Sequence, residues 1–145
     1  MNRPFPYYPM LALLAGLCLH AGSACAQNSK TQPAEPAADS PVGVWRGESL
    51  CTTDAPACHN ETVVCYIQAI ADKPDSVFIH ADKIVDGKAI TMGSGPWLYN
   101  RARRTLSMES DGRLWLLNIN GKRIEGTLTA PDHVVLRRMT LAKAD

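Results

Sequence analysis

The sequence predicts an all-β fold, a small antiparallel meander of about seven to nine short strands closed into a barrel or clam. Three observations lead to this prediction. Runs rich in branched and aromatic residues recur from residue 42 onward, as half-buried pleated strands prefer. Turn-forming residues separate these runs at short intervals, and no window has a sustained helical period. A meander of many short strands must also hide its edges, which closure achieves.

The predicted strands follow one another almost without a break from residue 42 to residue 141. Dipeptides that favour tight turns, some of which need a positive φ, punctuate the runs at Asp86-Gly87, Asp111-Gly112, Asn120-Gly121 and Pro131-Asp132. The runs themselves are Val42–Leu50, Glu61–Ile70, Ser76–Val85, Ala89–Met92, Trp97–Asn100, Thr105–Glu109, Arg113–Ile119, Arg123–Thr129 and Val134–Leu141.

Residues 1–26 have the features of a secretory signal peptide. Arg3 precedes an apolar run at 10–19, and Ala24-Cys25-Ala26 fits the small-residue cleavage rule. The apolar run is about ten residues long, whereas crossing a bilayer needs about 20. Cleavage after Ala26 would place the protein in the periplasm or outside the cell.

A second processing route is also open at this terminus. Cys25 follows Gly22-Ser23-Ala24, which resembles a bacterial lipobox without its usual leucine. Processing there would attach a lipid to Cys25 and give a membrane-anchored lipoprotein. In either case we expect residues 27–40, which contain no aromatic or branched apolar residue, to form a disordered spacer. Residues 41–145 would then form a single β domain.

The charge balance gives no reason to expect nucleic acid as a partner. Arg3 is the only charged residue of the predicted signal peptide, so its removal lowers the formal net charge from +1 to zero. Nucleic acids and anionic membranes attract basic surfaces, which a neutral chain does not supply on average. No second apolar run is long enough to form a transmembrane segment.

Three cysteines follow the predicted cleavage site, and an exported protein is expected to oxidise a pair of them. Cys58 and Cys65 flank one extended run of roughly 23 Å, whereas a disulfide needs Cα atoms within about 7 Å. Cys51 and Cys58 bracket a segment with turn formers at Asp54 and Pro56. The sequence therefore predicts a Cys51–Cys58 bridge, which would stabilise the fold by about 2–3 kcal/mol.

This bridge also predicts a strand register. With Cys51 opposite Cys58, Trp45 lies opposite Val64 and shares its face, and Cys65 lies on the other face. Two interpretations of Cys65 follow. It is either a small buried hydrophobe or a free thiol that crosslinks to a partner or a second copy.

No motif predicts catalysis, a metal or a cofactor. Cys58 and His59 are adjacent and would point to opposite faces of a strand, so one metal cannot easily use both. Ser94 lies in Gly93-Ser94-Gly95-Pro96, which is not a nucleophile elbow, and we interpret this segment as a flexible loop.

One basic cluster and two glycines carry further interpretations. Arg101, Arg103 and Arg104 share a predicted turn, where they either bind a carboxylate or phosphate or keep the domain soluble. Gly47 and Gly126 lie inside strand patterns, which indicates bulges or close-packed bends.

The start of the domain, Gly43-Val44-Trp45, resembles the G-x-W that opens the first strand in the lipocalin and calycin group. In that group the tryptophan packs at the closed end of the barrel near an arginine or lysine of the last strand. The resemblance implies a structural Trp45 with Arg137 or Arg138 beside it. The segments 43–52, 80–88 and 125–128 also resemble small exported bacterial proteins that have no assigned function.

These observations favour an exported, non-enzymatic β-barrel binding module for a small molecule or a protein. An eight-stranded barrel is just wide enough to be filled by side chains or to hold one small ligand. At this length we expect a filled barrel, with any ligand bound at an apolar mouth lined by Trp97 and Tyr99. The alternatives are an inhibitor that presents the 51–58 loop to an external hydrolase and, third, an enzyme.

Overall fold

The computed structural model describes residues 40–145, so the predicted signal peptide, the Cys25 lipid site and nearly all of the spacer lie outside the described residues. Eight antiparallel strands follow one another around a closed barrel, and β8 pairs with β1. The predicted meander and its closure are confirmed. No helix in this part of the chain is long and apolar enough to cross a membrane. The strands are β1 (Gly43–Cys51), β2 (Glu61–Ala69), β3 (Ser76–Val85), β4 (Lys88–Asn100), β5 (Thr105–Ser110), β6 (Arg113–Asn120), β7 (Arg123–Thr129) and β8 (Val135–Lys143).

The predicted strands Ala89–Met92 and Trp97–Asn100 are parts of a single strand, β4. β4 runs continuously through Gly93–Pro96, the segment that the sequence predicts as a flexible loop. The β3–β4 register shifts between Ala81, which pairs with Gly93, and Asp82, which pairs with Thr91. Met92 is therefore the extra residue of a β-bulge. Glycine and proline are depleted in strands, so residue propensities do not predict a strand across this segment.

Three hairpins close with two-residue turns. Asp86-Gly87 and Asp111-Gly112 both have positive φ at each position, between 50° and 75°, as type I′ turns require. The predicted Asn120-Gly121 turn is wrong by one residue. Asn120 remains in β6, and Gly121, with a φ of 59°, is the first residue of a Gly121-Lys122 loop. A glycine at the first central position suits a type II′ turn.

The barrel interior is packed at the end where β1 begins and β8 ends, which we call the closed end. Trp45 is fully buried there, and its Nε1 donates a hydrogen bond to the Pro41 carbonyl at 2.7 Å. A buried indole N–H needs such a partner, and Pro41 supplies it from the segment that enters β1. The other buried side chains of this end include Tyr99, Leu106, Ile119, Ile124 and Leu141.

Gly47 and Gly126 allow neighbouring strands to approach closely. A Cβ on Gly47 would lie 2.9 Å from the Leu141 Cα, and one on Gly126 would lie 2.7 Å from the Leu117 Cα. Neither separation is compatible with van der Waals contact. The interpretation of both glycines as close-packed positions is confirmed.

The Cys51–Cys58 disulfide forms as predicted, with Cα atoms 5.9 Å apart. It does not lie in the β1–β2 ladder, which ends where Ser49 pairs with Glu61. Beyond that pair the connecting loop has its own hydrogen bonds. The Cys51 N–H donates to the Asn60 side chain at 2.9 Å, and the Cys58 N–H donates to the Ala55 carbonyl at 2.8 Å.

The predicted register is consequently wrong by one residue. Trp45 pairs with Cys65 rather than with Val64. The error comes from treating the two bridged cysteines as a ladder pair, although the register would continue from Cys51 to His59. A slip of one residue moves every side chain of a strand to the other face. Cys65 therefore shares the interior face with Trp45.

Candidate functional site

A cavity of about 640 Å³ occupies the barrel between the closed end and the opposite rim. Its presence corrects the expectation that side chains fill the barrel. The lining is predominantly apolar and comes from β2, β3, β4, β5, β6 and β8. It comprises Cys65, Ile67, Ile79, Ala81, Met92, Gly93, Ser94, Gly95, Pro96, Trp97, Met108, Glu109, Ser110, Trp115, Leu117, Met139 and Leu141.

The cavity reaches the surface through a break in the barrel wall. β4 pairs with β3 over ten residue pairs but with β5 over only three, at Leu98–Asn100. From Leu98 back toward the start of β4, the two strands are no longer paired. Met92–Trp97 on β4 and Met108–Ser110 on β5 both line the cavity there. We call this opening, bounded by these two segments, the β4–β5 gap.

Pro96 accounts for the position of the gap. The Tyr99 N–H donates to the Asp75 carbonyl on the β3 side, at 2.9 Å. Backbone groups alternate in direction along a strand, so Leu98 and Pro96 are directed toward β5. Continuing the Leu98–Ser107 register would pair Pro96 with Glu109. Proline has no N–H for that pair, so the ladder loses a bond where the strands part.

Trp97 and Trp115 form the aromatic part of the cavity lining. Both are half-buried, and their ring centroids are 6.4 Å apart. Trp97 thus lies where the sequence places a ligand-facing side chain. Tyr99 does not, because it is buried with 8% exposure in the closed-end core and is not part of the cavity lining. The guanidinium of Arg101 lies 5.4 Å from the Tyr99 ring centroid.

Few polar groups border the cavity. Glu109 is the only charged residue that borders the cavity, but its side chain is exposed and alternates with the inward Leu106 and Met108, so it lies on the outer face of β5. Ser94 and Ser110 are the other polar residues that border the cavity. This composition is typical of ligand sites, which combine apolar walls with a few polar groups.

Cys65 contributes the one thiol of the lining. Its side chain is 4% exposed, and burial, together with the negative charge of Asp82, raises its pKa to about 11. The thiol is therefore protonated at neutral pH and is a poor nucleophile. Its position favours the interpretation of Cys65 as a buried hydrophobe over that of a crosslinking thiol.

A separate charged cluster ties the disulfide loop to the barrel. Arg137 donates to the Ser49 Oγ at 2.8 Å, to the His59 carbonyl at 2.8 Å and to the Glu61 carboxylate at 2.9 Å. The Lys83 ammonium lies 3.3 Å from the other Glu61 oxygen. Arg137 therefore holds the disulfide loop against β1 and β2 at the rim opposite the closed end.

The basic partner proposed for Trp45 needs correction. Lys143, not Arg137 or Arg138, lies over the indole ring. The β1–β8 register explains the difference, because it pairs Trp45 with Lys143 and moves Arg137 to Cys51, near the opposite rim. Arg138 is exposed.

The remaining candidate residues do not form a reactive centre. The Asp82 carboxylate accepts a hydrogen bond from the Thr91 hydroxyl at 3.0 Å, and the His80 Nε2 lies 3.0 Å from the same oxygen. Ser94 lies opposite His80 in the ladder, but no hydrogen bond joins their side chains. Within residues 40–145, no group of three histidine, cysteine or acidic residues could hold a metal ion.

The three arginines of the predicted basic cluster do occupy a turn, between β4 and β5. Arg101 donates to the Pro74 carbonyl at 3.0 Å, and the Arg103 N–H donates to the Asn100 side chain at 2.9 Å. Arg104 adopts a positive φ of 52°. Both interpretations of this cluster, anion binding and solubility, stay predictions.

Comparison with known proteins assigns no family to this barrel. No protein-family model, curated protein or solved structure matches the chain. The resemblance of Gly43-Val44-Trp45 to the lipocalin and calycin opening remains a prediction. Fold and site together describe a small closed β-barrel with an internal apolar cavity.

Proposed function

We propose that this protein is an exported, non-enzymatic binding module that takes up a small apolar ligand through the β4–β5 gap. The observation that carries the proposal is the cavity of about 640 Å³ with its largely apolar lining. Ligand pockets are commonly about 300–1,000 Å³ and mostly apolar, with few polar groups. The closed end is packed, whereas residues on both edges of the β4–β5 gap line the cavity. The gap is therefore the proposed route by which a ligand enters.

Burial of the ligand would supply the affinity. Each methylene moved from water into the cavity contributes about 0.8 kcal/mol. Roughly ten such groups would give about 8 kcal/mol before the cost of immobilising the ligand. Trp97 and Trp115 add flat apolar surfaces against which a ring or chain can pack. The walls therefore favour shape and hydrophobicity over specific polar recognition.

The polar groups of the cavity support binding rather than chemistry. Catalysis by acid, base or nucleophile needs activated groups held within hydrogen-bond reach of each other. The Glu109 side chain lies on the outer face of β5, and the Cys65 thiol has its pKa raised rather than lowered. Neither arrangement activates a reacting group.

The disulfide supports the exported part of the proposal. A Cys51–Cys58 bridge persists in an oxidising compartment and is rare in the cytosol of mesophiles. The features of residues 1–26 agree with this location. The intact mass of protein recovered from the envelope should correspond to a chain that starts at Gln27. A diacylglycerol adduct on Cys25 would instead identify a lipoprotein.

Binding can be tested with N-phenyl-1-naphthylamine, a neutral apolar dye that fluoresces when it leaves water. Wild-type protein should enhance its emission saturably, with energy transfer from Trp97 and Trp115. Ala81→Phe fills the cavity and should weaken binding at least tenfold. Leu98→Ala, which alters an outward side chain with 67% exposure, is the matched control and should bind normally. Dye affinity unchanged by Ala81→Phe would refute the cavity as the binding site.

A further inference from the structure

Exposed apolar side chains surround the β4–β5 gap on the outer face of the barrel. Each directly neighbours a core or cavity residue in its own strand, so its side chain is directed outward. The ladder places them around the gap, because Phe78 pairs with Pro96 of the β4 edge and Leu114 pairs with Glu109 of the β5 edge. The four side chains, with exposed fractions between 37% and 67%, are Phe78, Leu98, Leu114 and Leu116.

The part of the chain that forms most of this face is basic in an otherwise slightly acidic domain. Residues 88–120, which cover β4–β6 and their turns, contain five basic and two acidic residues. The other described residues contain eight basic and ten acidic ones. Arg101, Arg103 and Arg104 supply most of the excess, and all three are exposed in the turn that follows β4. We call the four apolar side chains and the 101–104 turn the docking face.

A lipid bilayer fits the docking face better than a folded protein does. The four apolar side chains offer roughly 300 Å² of exposed surface, whereas a stable protein interface buries about 800 Å² on each partner. Membranes bind smaller apolar patches when neighbouring basic residues meet anionic headgroups. The gap also opens among these side chains, and apolar ligands concentrate in membranes rather than in water.

We infer that the docking face binds an anionic phospholipid bilayer, which lets apolar ligands pass between the membrane and the cavity through the β4–β5 gap. The arginines of the turn would meet lipid phosphates, while Leu98 and Leu116 enter the boundary between headgroups and acyl chains. Docking stands on the surface alone, whereas the passage of ligand rests on the proposed function.

Cosedimentation with vesicles tests docking. Vesicles of equal parts phosphatidylglycerol and phosphatidylcholine should bind the wild-type protein about tenfold more tightly than vesicles of phosphatidylcholine alone, because basic residues are attracted to anionic headgroups. Added salt should weaken this binding. Failure to bind the mixed vesicles, or equal binding to both kinds, would overturn the inference.

Variants connect the binding to the docking face. Joint replacement Leu98→Ser and Leu116→Ser should weaken vesicle binding about fivefold, and Arg103→Gln should weaken it about threefold and reduce its salt dependence. Leu50→Ser on β1, where the leucine is 41% exposed, and Arg138→Gln on β8 are the matched controls and should bind as the wild type does. Equal losses in the controls would show that the contact lies elsewhere. All variants should bind the dye normally without vesicles.

Stopped-flow fluorescence tests the passage of ligand. Protein-bound N-phenyl-1-naphthylamine should lose its emission when it moves into mixed vesicles that contain a brominated lipid. Transfer at the docked surface should become faster as the vesicle concentration rises, and it should be slower for the Leu98→Ser, Leu116→Ser protein. A rate that does not depend on vesicle concentration would show that the dye leaves through water, and the inferred passage would be wrong.

The outcomes separate this inference from the proposed function. If the dye binds in the cavity but the mixed vesicles do not bind the protein, the inference is wrong and the apolar cavity site stands. If the vesicles bind but the dye does not, the proposed function is wrong and the passage of ligand falls with it. A dimer in light scattering that Leu98→Ser dissociates would identify a second copy as the occupant of the docking face and overturn the inference.

Discussion

Lys143 lies directly opposite Trp45 in the β1–β8 ladder, with its ammonium 5.4 Å from the centroid of the indole ring. The same ammonium donates to the Ser40 carbonyl at 3.1 Å, and the Trp45 N–H donates to the Pro41 carbonyl at 2.7 Å. The last strand and the segment that enters the first strand are thus held together. This set of contacts completes the closed end.

Truncation of Trp45 should destabilise the barrel severely. We expect Trp45→Ala to lower the unfolding free energy by about 3–5 kcal/mol, because it removes a fully buried side chain and leaves a cavity. Lys143→Met should cost about 0.5–1 kcal/mol through the lost cation–π contact. Urea unfolding measures both. A Trp45→Ala midpoint equal to that of the wild type would contradict a structural role.

Gly47 should tolerate no side chain. A methyl group on Gly47 would meet the backbone of β8, so Gly47→Ala should destabilise by at least about 1–3 kcal/mol. Gly93→Ala is the matched control, because nothing lies within 4 Å of its added Cβ. It should change stability by no more than about 0.5–1 kcal/mol, in the stabilising direction if at all. Similar losses in both variants would show that glycine is needed for another reason.

Arg137 should stabilise the rim through its bond to Glu61. The two side chains are 16% and 19% exposed, so removing one leaves a poorly solvated charge. We expect Arg137→Met to cost about 2–3 kcal/mol, less than a fully buried pair, because Lys83 still faces Glu61. A double-mutant cycle with Glu61→Gln should show coupling. Arg138→Met, on the exposed face, should have little effect, and an equal loss there would remove the special role of Arg137.

Alkaline pH should weaken the fold through Cys65. Its pKa is about 11 in the barrel and 9.0 as the reference value for an unburied thiol. Below pH 9 the thiol is protonated in both states, and above it the unfolded state loses the proton first. Stability should therefore fall between pH 9 and pH 11, by about 1–3 kcal/mol.

Two measurements check this pH dependence. The difference in 240 nm absorbance between wild type and Cys65→Ala should show thiolate formation near pH 11 in the folded protein. Denaturation at several pH values should show a smaller alkaline loss for Cys65→Ala than for the wild type. A thiolate midpoint near pH 9 would contradict the buried environment.

Replacing Pro96 should narrow the β4–β5 gap. Pro96→Val restores an N–H that is directed at β5 and lets the ladder continue to Glu109. A new cross-strand Hα–Hα contact between Trp97 and Met108 should appear in NMR spectra. Dye association should slow several-fold, as stopped-flow fluorescence would show. Pro131→Ala, in the exposed loop before β8, should leave both observables unchanged, and an unaltered gap in Pro96→Val would refute the role of the proline.

Local sequence signals predicted the fold well. Branched and aromatic runs between Asp-Gly turns specify strands and hairpins without reference to distant residues. The Cys51–Cys58 bridge was predictable because its geometry depends on one short loop. In contrast, the bulge at Met92 arises where β4 must remain paired with β3 through glycines. No propensity indicates that continuity.

The site depended on relationships that the sequence does not display. The β1–β2 register follows from the hydrogen bonds of the 52–60 loop. A difference of one residue in that register decides which face of β2 carries Cys65. The partner of Trp45 depends on the pairing of the first and last strands, which are about 90 residues apart in a closed meander. Whether the barrel is filled depends on the summed volume of its inward side chains. The effect of Pro96 on pairing depends on which neighbouring strand its backbone faces, and the sequence does not show that.

The position of Cys65 inside the barrel has a consequence for oxidative folding. Cys58 lies seven positions after Cys51 and seven positions before Cys65, so the two competing rings have similar closure entropy. A chain oxidised between Cys58 and Cys65 cannot adopt the native arrangement, because Cys58 lies in the loop before β2, bonded to Cys51, whereas Cys65 lies on the interior face of β2. The Cys51 thiolate of such a chain remains available for exchange, which can return it to the productive route. Strand formation therefore selects the bridge, and the finished barrel then shields the third sulfur from further exchange.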